Sequence, residues 1–200
     1  MLLVLGSFIF VAALVLILVI LIRVESPGHA IFRQRRVGRY GRVFTIYKLR
    51  SMQDGCETVL NPDGSTRVVK DDPRITRLGK LMRSSGLDEL PQLLNVLKGE
   101  MSLVGPRPDQ EFHLQWYRAA DYRRLAMRPG LTSLGQVSGR NSLSARQRMV
   151  YEIDYVKHFS LWLDCKIIAR TLAVIVNGVG TYNIDHSRKP LISSAVESKR

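Results

Sequence analysis

The adjacent carboxylates Asp88 and Glu89 are the residues of this sequence best suited to covalent chemistry on phosphorus. Neighbouring side chains on a helix point about 100° apart, so these two are not a facing pair that shares one proton. We therefore expect different roles: one carboxylate attacks phosphorus to form an acyl phosphate, and the other binds a metal ion or handles a proton. The structural alternative is that both acids complement the N-terminus of a helix.

Cationic residues that could meet a phosphate lie on both sides of this pair in the sequence. In Pro106-Arg107-Pro108, each proline fixes its own φ and restricts the residue before it, which holds Arg107 ready to grip a phosphate with two parallel hydrogen bonds. Lys48 and Arg50 are two residues apart in a strand-like segment, so they would share a face and flank a diphosphate. Ordinary surface charge is the alternative for all three.

A hairpin and a loop are predicted around these cations. The segment from Ala30 to Met52 places strand-like residues on both sides of a Gly/Arg-rich stretch, which predicts a β-hairpin carrying Lys48 and Arg50. The polar segment from Asp54 to Pro73 contains turn residues and is predicted to be an exposed loop. Loops of this kind often cover active sites.

Three helices are predicted in the rest of the chain. Between Leu87 and Gly99, leucines at helical spacing indicate an amphipathic helix that starts at Asp88 and Glu89 and stops at the glycine. The segment from Glu111 to Arg128 mixes aromatic residues with arginines, as in a helix at an anionic membrane surface, although core packing of the aromatics is an alternative. The segment from Leu161 to Val179 is apolar with three charges, which indicates a buried or interfacial helix.

The N-terminal run from Leu2 to Ile22 contains 21 residues without a charge. A helix of that length can cross about 30 Å of hydrocarbon. Ser26-Pro27 then breaks it, which fits either an anchor that ends at a linker or a re-entrant helix whose freed carbonyl is satisfied by the serine hydroxyl. The run is followed by arginines, which by the positive-inside rule place the remainder in the cytoplasm; these are Arg23, Arg33, Arg35, Arg36, Arg39 and Arg42.

The composition points to one domain with a polyanionic partner. The chain has 200 residues and a formal charge of +13, which suits nucleic acid, anionic lipid or phosphorylated substrates. A basic membrane-anchored nucleic-acid-binding protein is one alternative, but the sequence shows neither a recognition helix nor an aromatic sheet motif. A purely structural membrane protein would have no use for Asp88 and Glu89 beside Arg107.

From Ser26 to Asn183 the sequence resembles the monotopic phosphoglycosyl transferases, also called bacterial sugar transferases. The resemblance is to the minimal catalytic form, without additional helices before residue 1. It rests on ordered blocks that are specific in combination: Ser26-Pro27, Gln34-Arg35-Arg36-Val37-Gly38, Tyr47-Lys48-Leu49-Arg50-Ser51-Met52, Leu87-Asp88-Glu89-Leu90-Pro91-Gln92, Lys98 to Pro108, Pro129-Gly130-Leu131-Thr132, and Tyr155 to Asp164.

The resemblance implies an α+β, mostly helical protein embedded in one face of the bacterial inner membrane. Residues 1–28 would form a re-entrant helix kinked at Ser26-Pro27. Residues 29–183 would form the catalytic domain on the cytoplasmic face, with amphipathic helices lying on membrane lipid. Residues 184–200 have little periodicity and predict a disordered tail. The resemblance leaves a homodimer open and implies no nucleic-acid partner.

The resemblance also implies a reaction and a role for each site residue. Asp88 would attack the sugar-proximal phosphorus of a UDP-sugar and release UMP, and polyprenyl (undecaprenyl) phosphate would then take the phosphosugar. Glu89 would bind Mg²⁺ with Asp88 or accept a proton. Further implied contacts are to phosphate at Arg107, Lys48 and Arg50, with weaker matches at Asp164 and Arg35. A glycosyl transferase or nucleotide-diphosphate hydrolase is the nearer rival, and the released nucleotide distinguishes them.

Overall fold

The computed structural model describes residues 2–61, 66–69 and 71–177. Its α-helices are α1 (Leu2–Glu25), α2 (Arg77–Ser85), α3 (Leu93–Leu97), α4 (Leu134–Ser138), α5 (Ala145–Lys157) and α6 (Leu161–Asn177). Its strands are β1 (Ile31–Val37), β2 (Val43–Leu49), β3 (Ser102–Val104) and β4 (Gly130–Thr132). The predicted mixture of helices and strands is confirmed. The predicted disordered tail 184–200 and the last residues of the helix predicted from Leu161 to Val179 lie outside the described residues.

The C-terminal half of α1 packs against the rest of the chain. Leu18 and Ile22 are buried in one core with Ala30, Leu49 and Met82, which come from the hairpin and α2. Burial of such side chains contributes roughly 1.5–3 kcal/mol each. In the part of the chain that is described, no helix combines the length and the apolar character that crossing a membrane requires.

An arginine closes the end of α1. The helix ends at Glu25, and Gly28, with a φ of 104°, turns the chain toward β1. The guanidinium of Arg50 donates to the carbonyl of Ser26 at 2.8 Å, to its hydroxyl at 3.0 Å and to the carbonyl of Pro27. Arg50 thus satisfies the carbonyl groups of Ser26 and Pro27, and the serine hydroxyl accepts from the same guanidinium.

The predicted hairpin is confirmed. Strands β1 and β2 pair antiparallel from Ile31 opposite Leu49 to Val37 opposite Val43. A single 3₁₀ turn, Arg39–Gly41, joins them. Strand β2 buries Ile46 on one face and Leu49 on the other. Lys48 lies on the same face as Ile46, where it contacts Glu89.

The helix predicted between Leu87 and Gly99 is two elements. After α2, which Gly86 ends with a φ of 73°, the segment Leu87–Gln92 is a 3₁₀ helix, and only α3 behind it is α-helical. Pro91 explains the difference, because it has no N–H to donate to the Leu87 carbonyl as an α-helix would require. The predicted stop is confirmed at Gly99, where φ is 75°.

A short parallel sheet holds the segment that contains Arg107. Strands β3 and β4 pair Ser102 with Gly130 and Val104 with Thr132. A Cβ added at Gly130 would lie 2.1 Å from the Gly105 nitrogen, so this approach requires glycine. The pairing fixes the backbone immediately before Pro106.

The helix predicted from Glu111 to Arg128 was wrong as a single element. The structure has two 3₁₀ segments, Glu111–Trp116 and Ala119–Ala126. Extended backbone at Tyr117 and Arg118 separates them, because Asp121 accepts the Arg118 N–H at 2.9 Å and starts a new helical segment there.

The last three helices form a second core. Val104, Tyr155 and Ile167 are buried together, joining β3 to α5 and α6. Side chains that accept backbone N–H groups begin α4 at Ser133 and α5 at Ser144. A 3₁₀ turn, Arg140–Ser142, lies between α4 and α5 and contributes Arg140 to the candidate active site.

Candidate active site

Asp88 and Glu89 open onto a cavity of about 130 Å³. The 3₁₀ helix Leu87–Gln92 carries both acids between the left-handed Gly86 and Pro91. The cavity lining combines two carboxylates with five cationic side chains: Lys48, Arg83, Gly86, Asp88, Glu89, Arg107, Gln136, Arg140 and Arg148. We call it the Asp88 cavity. Its excess of positive charge suits a ligand with several negative charges.

Glu89 is held by two cations from different elements. Lys48 Nζ donates to Glu89 Oε1 at 2.9 Å, and Arg107 grips both carboxylate oxygens, with Nη1 at 3.0 Å from Oε2 and Nη2 bonded to Oε1. Burial alone would raise the pKa of Glu89, but Arg107 and Lys48 outweigh burial and lower it well below its ordinary range. Glu89 is therefore an ionised anchor for both cations.

Asp88 has the opposite environment one residue earlier. Its side chain is buried, and its carboxylate makes no hydrogen bond or ion pair with any residue that the structure describes. Burial and then the neighbouring Glu89 raise the pKa of Asp88. A carboxylate of higher pKa with free oxygen atoms is the better nucleophile of the two.

A buried ionic network fixes the backbone of Arg107. Its N–H donates to the carboxylate of Glu152, and its carbonyl accepts from the guanidinium of Arg124. Arg124 also bonds to Asp109 and lies 3.1 Å from Glu152. We call Asp109, Arg124 and Glu152 the Arg124 network. Together with the two prolines, it holds Arg107 in place to grip Glu89.

Comparison with known proteins assigns the family. Residues 1–178 match the family described as bacterial sugar transferase. The chain belongs to the bacterial sugar transferases. It is 43% identical over 164 residues to the galactosyl transferase CpsE of Streptococcus agalactiae and 39% identical over 180 residues to the exopolysaccharide production protein ExoY of Rhizobium meliloti. It is 43% identical over 182 residues to the UDP-glucose:undecaprenyl-phosphate glucose-1-phosphate transferase of Caulobacter vibrioides.

These matches cover most of this chain but differing shares of the relatives. The match to CpsE covers 78% of this sugar transferase, the match to ExoY covers 84%, and the match to the Caulobacter protein covers 86%. They include 36% of CpsE, 80% of ExoY and 66% of the Caulobacter protein. The chain thus spans about a third of CpsE. The family resemblance found in the sequence motifs is confirmed.

Four of the predicted site residues of this sugar transferase meet at the Asp88 cavity: Asp88, Glu89, Lys48 and Arg107. Arg50 does not line this cavity, and its guanidinium donates to Ser26 and Pro27 at the end of α1. It lines a neighbouring cavity that also contains Asp88, and its phosphate role stays a prediction. The phosphate role of Lys48 and Arg107 stays a prediction.

The two weaker candidates lie apart from this cluster. Arg35 pairs with Glu111 at 2.7 Å on the surface. Asp164 accepts a hydrogen bond from the Tyr155 hydroxyl at 2.8 Å, which links α5 to α6. Neither residue lines the Asp88 cavity.

Sequence reasoning missed several residues of this sugar transferase. Arg83, Arg140 and Arg148 line the cavity, and Arg124 and Glu152 position Arg107. Arg83 lies on α2, shortly before Asp88 in the sequence. Its residue type alone does not distinguish it from the arginines of the surface. The others come from distant segments, and a charged residue at a core-facing position of α5, such as Glu152, was the available signal.

The predicted magnesium site fits only in part. Among the described residues, no three His, Cys, Asp or Glu side chains are grouped as metal ligands. Both oxygen atoms of Glu89 are occupied by Lys48 and Arg107, which leaves Asp88 as the carboxylate with free oxygen atoms. Mg²⁺ often uses one or two protein carboxylates together with phosphate oxygens and water. Asp88 could supply one such carboxylate, and the magnesium site stays a prediction.

Proposed function

We propose that this chain transfers a phosphosugar from a UDP-sugar to undecaprenyl phosphate and releases UMP. The observation that carries the proposal is Asp88, a buried carboxylate with free oxygen atoms and a raised pKa, in a cavity lined by five cations. The printed name of the Caulobacter relative, which describes glucose-1-phosphate transfer from UDP-glucose to undecaprenyl phosphate, supports the same chemistry.

The first half-reaction forms a covalent intermediate. An oxygen of Asp88 attacks the sugar-proximal phosphorus, and the bond from that phosphorus to the bridging oxygen of the diphosphate breaks. UMP leaves with the electron pair, and the phosphosugar stays on Asp88 as an acyl phosphate. The surrounding guanidinium groups stabilise charge on the phosphoryl oxygens.

The second half-reaction regenerates the enzyme. A phosphate oxygen of undecaprenyl phosphate attacks the same phosphorus, and the Asp88 carboxylate leaves. The product is the undecaprenyl diphosphosugar, so the mechanism is ping-pong. Glu89 holds Arg107 and Lys48 beside the reacting phosphoryl group, and this role needs the ionised form that its lowered pKa ensures.

A magnesium ion would be shared between Asp88 and the diphosphate of the donor. Its chemistry would be to shield the phosphate charge so that an anionic carboxylate can approach. Glu89 would join it as a ligand only after releasing one of its two cations.

The apolar surface of the chain supports a membrane location. α1 exposes large apolar side chains, namely Ile9, Phe10, Leu16, Ile17, Ile20, Leu21 and Val24. α6 exposes Leu161, Trp162 and Leu172. A re-entrant α1 that turns at Ser26-Pro27, with α6 at the interface, would place these surfaces in the cytoplasmic leaflet of the bacterial inner membrane. There the Asp88 cavity would meet a soluble nucleotide sugar and a lipid phosphate.

The test is nucleotide release from a panel of UDP-sugars with Mg²⁺ and undecaprenyl phosphate in detergent. We expect sugar-dependent UMP from the native chain and a loss of at least about a thousandfold in Asp88→Asn, which removes the nucleophile. Asp154→Asn, an exposed acid paired with His158 on α5, is the matched control and should keep native turnover.

The released nucleotide separates the rival enzymes. UDP would identify a glycosyl transferase. The ping-pong enzyme releases at most one UMP per chain when the lipid acceptor is absent, so continued UMP release without the acceptor would identify a diphosphate hydrolase. Unchanged turnover in Asp88→Asn would contradict the covalent role of Asp88.

A further inference from the structure

Two of the cations in the Asp88 cavity share one carboxylate. Lys48 and Arg107 both bind Glu89, and Arg107 uses two nitrogen atoms to do so. The single carboxylate balances one of these two positive charges and occupies hydrogen-bond donors of both side chains. Among the described residues that line the cavity, the cations with no donor bonded to a carboxylate are the other three.

The other three cations have no carboxylate partner within the described part of the chain. Arg83 makes one hydrogen bond, from Nη1 to the Ser51 hydroxyl at 3.3 Å, and its Nε is buried without an acceptor. Arg140 has a buried Nη1 that also lacks an acceptor. The guanidinium of Arg148 makes neither a hydrogen bond nor an ion pair with any described residue.

The positions of these three arginines are energetically unfavourable for the folded state. They come from α2, the 3₁₀ turn Arg140–Ser142 and α5, and they converge on one small cavity beside Asp88. Arg140 adopts a φ of 52°, a left-handed conformation that is strained for a residue with a side chain. Burial lowers the pKa of Arg140 and of Arg148, which expresses the same penalty on the unpaired charges.

We propose that Arg83, Arg140 and Arg148 form the diphosphate-binding group of the Asp88 cavity. The assignment of the ligand as the diphosphate of a nucleotide sugar rests on the proposed function. Guanidinium groups bind phosphate oxygens through parallel hydrogen bonds, and the positive charge of three of them is sufficient to balance the diphosphate of a nucleotide sugar. Lys48 and Arg107 instead hold Glu89 and shape the wall beside the reacting phosphorus.

The first measurement is calorimetric titration of inorganic pyrophosphate into the full chain in detergent, with Arg83→Gln, Arg140→Gln and Arg148→Gln as variants. Each substitution is expected to weaken pyrophosphate binding by roughly tenfold to a hundredfold, the range of a charge-assisted contact. Arg77→Gln is the matched control, since Arg77 is an exposed arginine on α2, the helix that carries Arg83. It should bind pyrophosphate as the native chain does.

Thermal unfolding separates a binding role from a structural one. Because the three arginines are unpaired, their substitution by glutamine should leave the melting temperature unchanged or raise it. Arg148→Lys, which keeps the charge, should recover part of the lost affinity. Weaker binding accompanied by a lower melting temperature, or unchanged binding in all three variants, would overturn the assignment.

Kinetics separate this inference from the proposed function. In turnover assays the variants should raise KM for the UDP-sugar more than KM for undecaprenyl phosphate, since the diphosphate belongs to the donor. An equal rise for both substrates would assign the arginines to phosphate groups in general and contradict the donor assignment. If the native chain binds pyrophosphate through these arginines but releases no UMP, the proposed function fails while the diphosphate site stands.

Discussion

The Arg124 network and the Asp88 cavity meet at Arg107, and they treat charge in opposite ways. In the network, Arg124 contacts both Asp109 and Glu152, and all three side chains are buried or nearly so. Burial would raise the pKa of Asp109, but Arg124 outweighs it and keeps that pKa far below its usual range. In the cavity, Asp88 and three arginines have no such partner among the described residues. The paired charges of the Arg124 network fix the backbone, whereas the unpaired charges of the Asp88 cavity are available to bind a ligand.

Removing the centre of the Arg124 network should have the largest effect on stability. Arg124→Met leaves Asp109 and Glu152 buried without their cation, so we expect the free energy of unfolding to fall by about 3–5 kcal/mol. Denaturant unfolding followed by the fluorescence of the two tryptophans would measure it. Arg123→Gln, an exposed neighbour, is the control. A loss as small in Arg124→Met as in the control would show that the network is not what holds this region together.

The pH dependence of turnover should follow Asp88 and respond to Glu89. Only ionised Asp88 attacks phosphorus, so the rate should fall on acidification through a pKa above the ordinary value of an aspartate. Glu89→Gln removes a negative charge and frees Lys48 and Arg107, and each change lowers the pKa of Asp88. We therefore expect a lower rate in this variant, with the acid limb of its profile moved to lower pH.

Initial rates of UMP release across the pH range would measure this shift, with Glu111→Gln as the control. Glu111 is a glutamate paired with Arg35 on the surface, away from the cavity. An acid limb that moves to higher pH in Glu89→Gln would contradict the electrostatic coupling between the two acids.

The smallest effect is expected at the surface pair of Arg35 and Glu111. Both side chains are substantially exposed, so the pair should contribute less than about 1 kcal/mol despite its 2.7 Å contact. Arg35→Gln should unfold near the native denaturant concentration and turn over at the native rate. A large loss of turnover would return Arg35 to the active site, from which its position in the structure separates it.

The sequence predicted local structure better than it predicted which charges are paired. Strand-like composition located the hairpin, and a long apolar segment located α6, because both signals depend on neighbouring residues. The motifs also placed Asp88, Glu89, Lys48 and Arg107 in one site. They did not show that Glu89 binds both Lys48 and Arg107, partners 41 and 18 residues away, because those contacts depend on the folded chain.

The same limit explains the missed arginines. Arg140 and Arg148 reach the cavity only because α4 and α5 fold back toward the hairpin and α2. The interruption of the helix predicted from Glu111 to Arg128 depends likewise on one side chain, Asp121, accepting a backbone N–H at the break. Pro91 was visible in the sequence, but its effect on the helix type was not anticipated.

The contact between Arg50 and the end of α1 has a mechanical consequence. Arg50 follows directly after β2 and is bonded to Ser26 and Pro27, while Lys48, two residues earlier on the same strand, holds Glu89. A tilt of α1 would therefore pull on the strand whose lysine fixes one wall of the cavity. If α1 lies in the membrane as proposed, the depth and angle of this helix would affect the geometry around Asp88 through the hairpin.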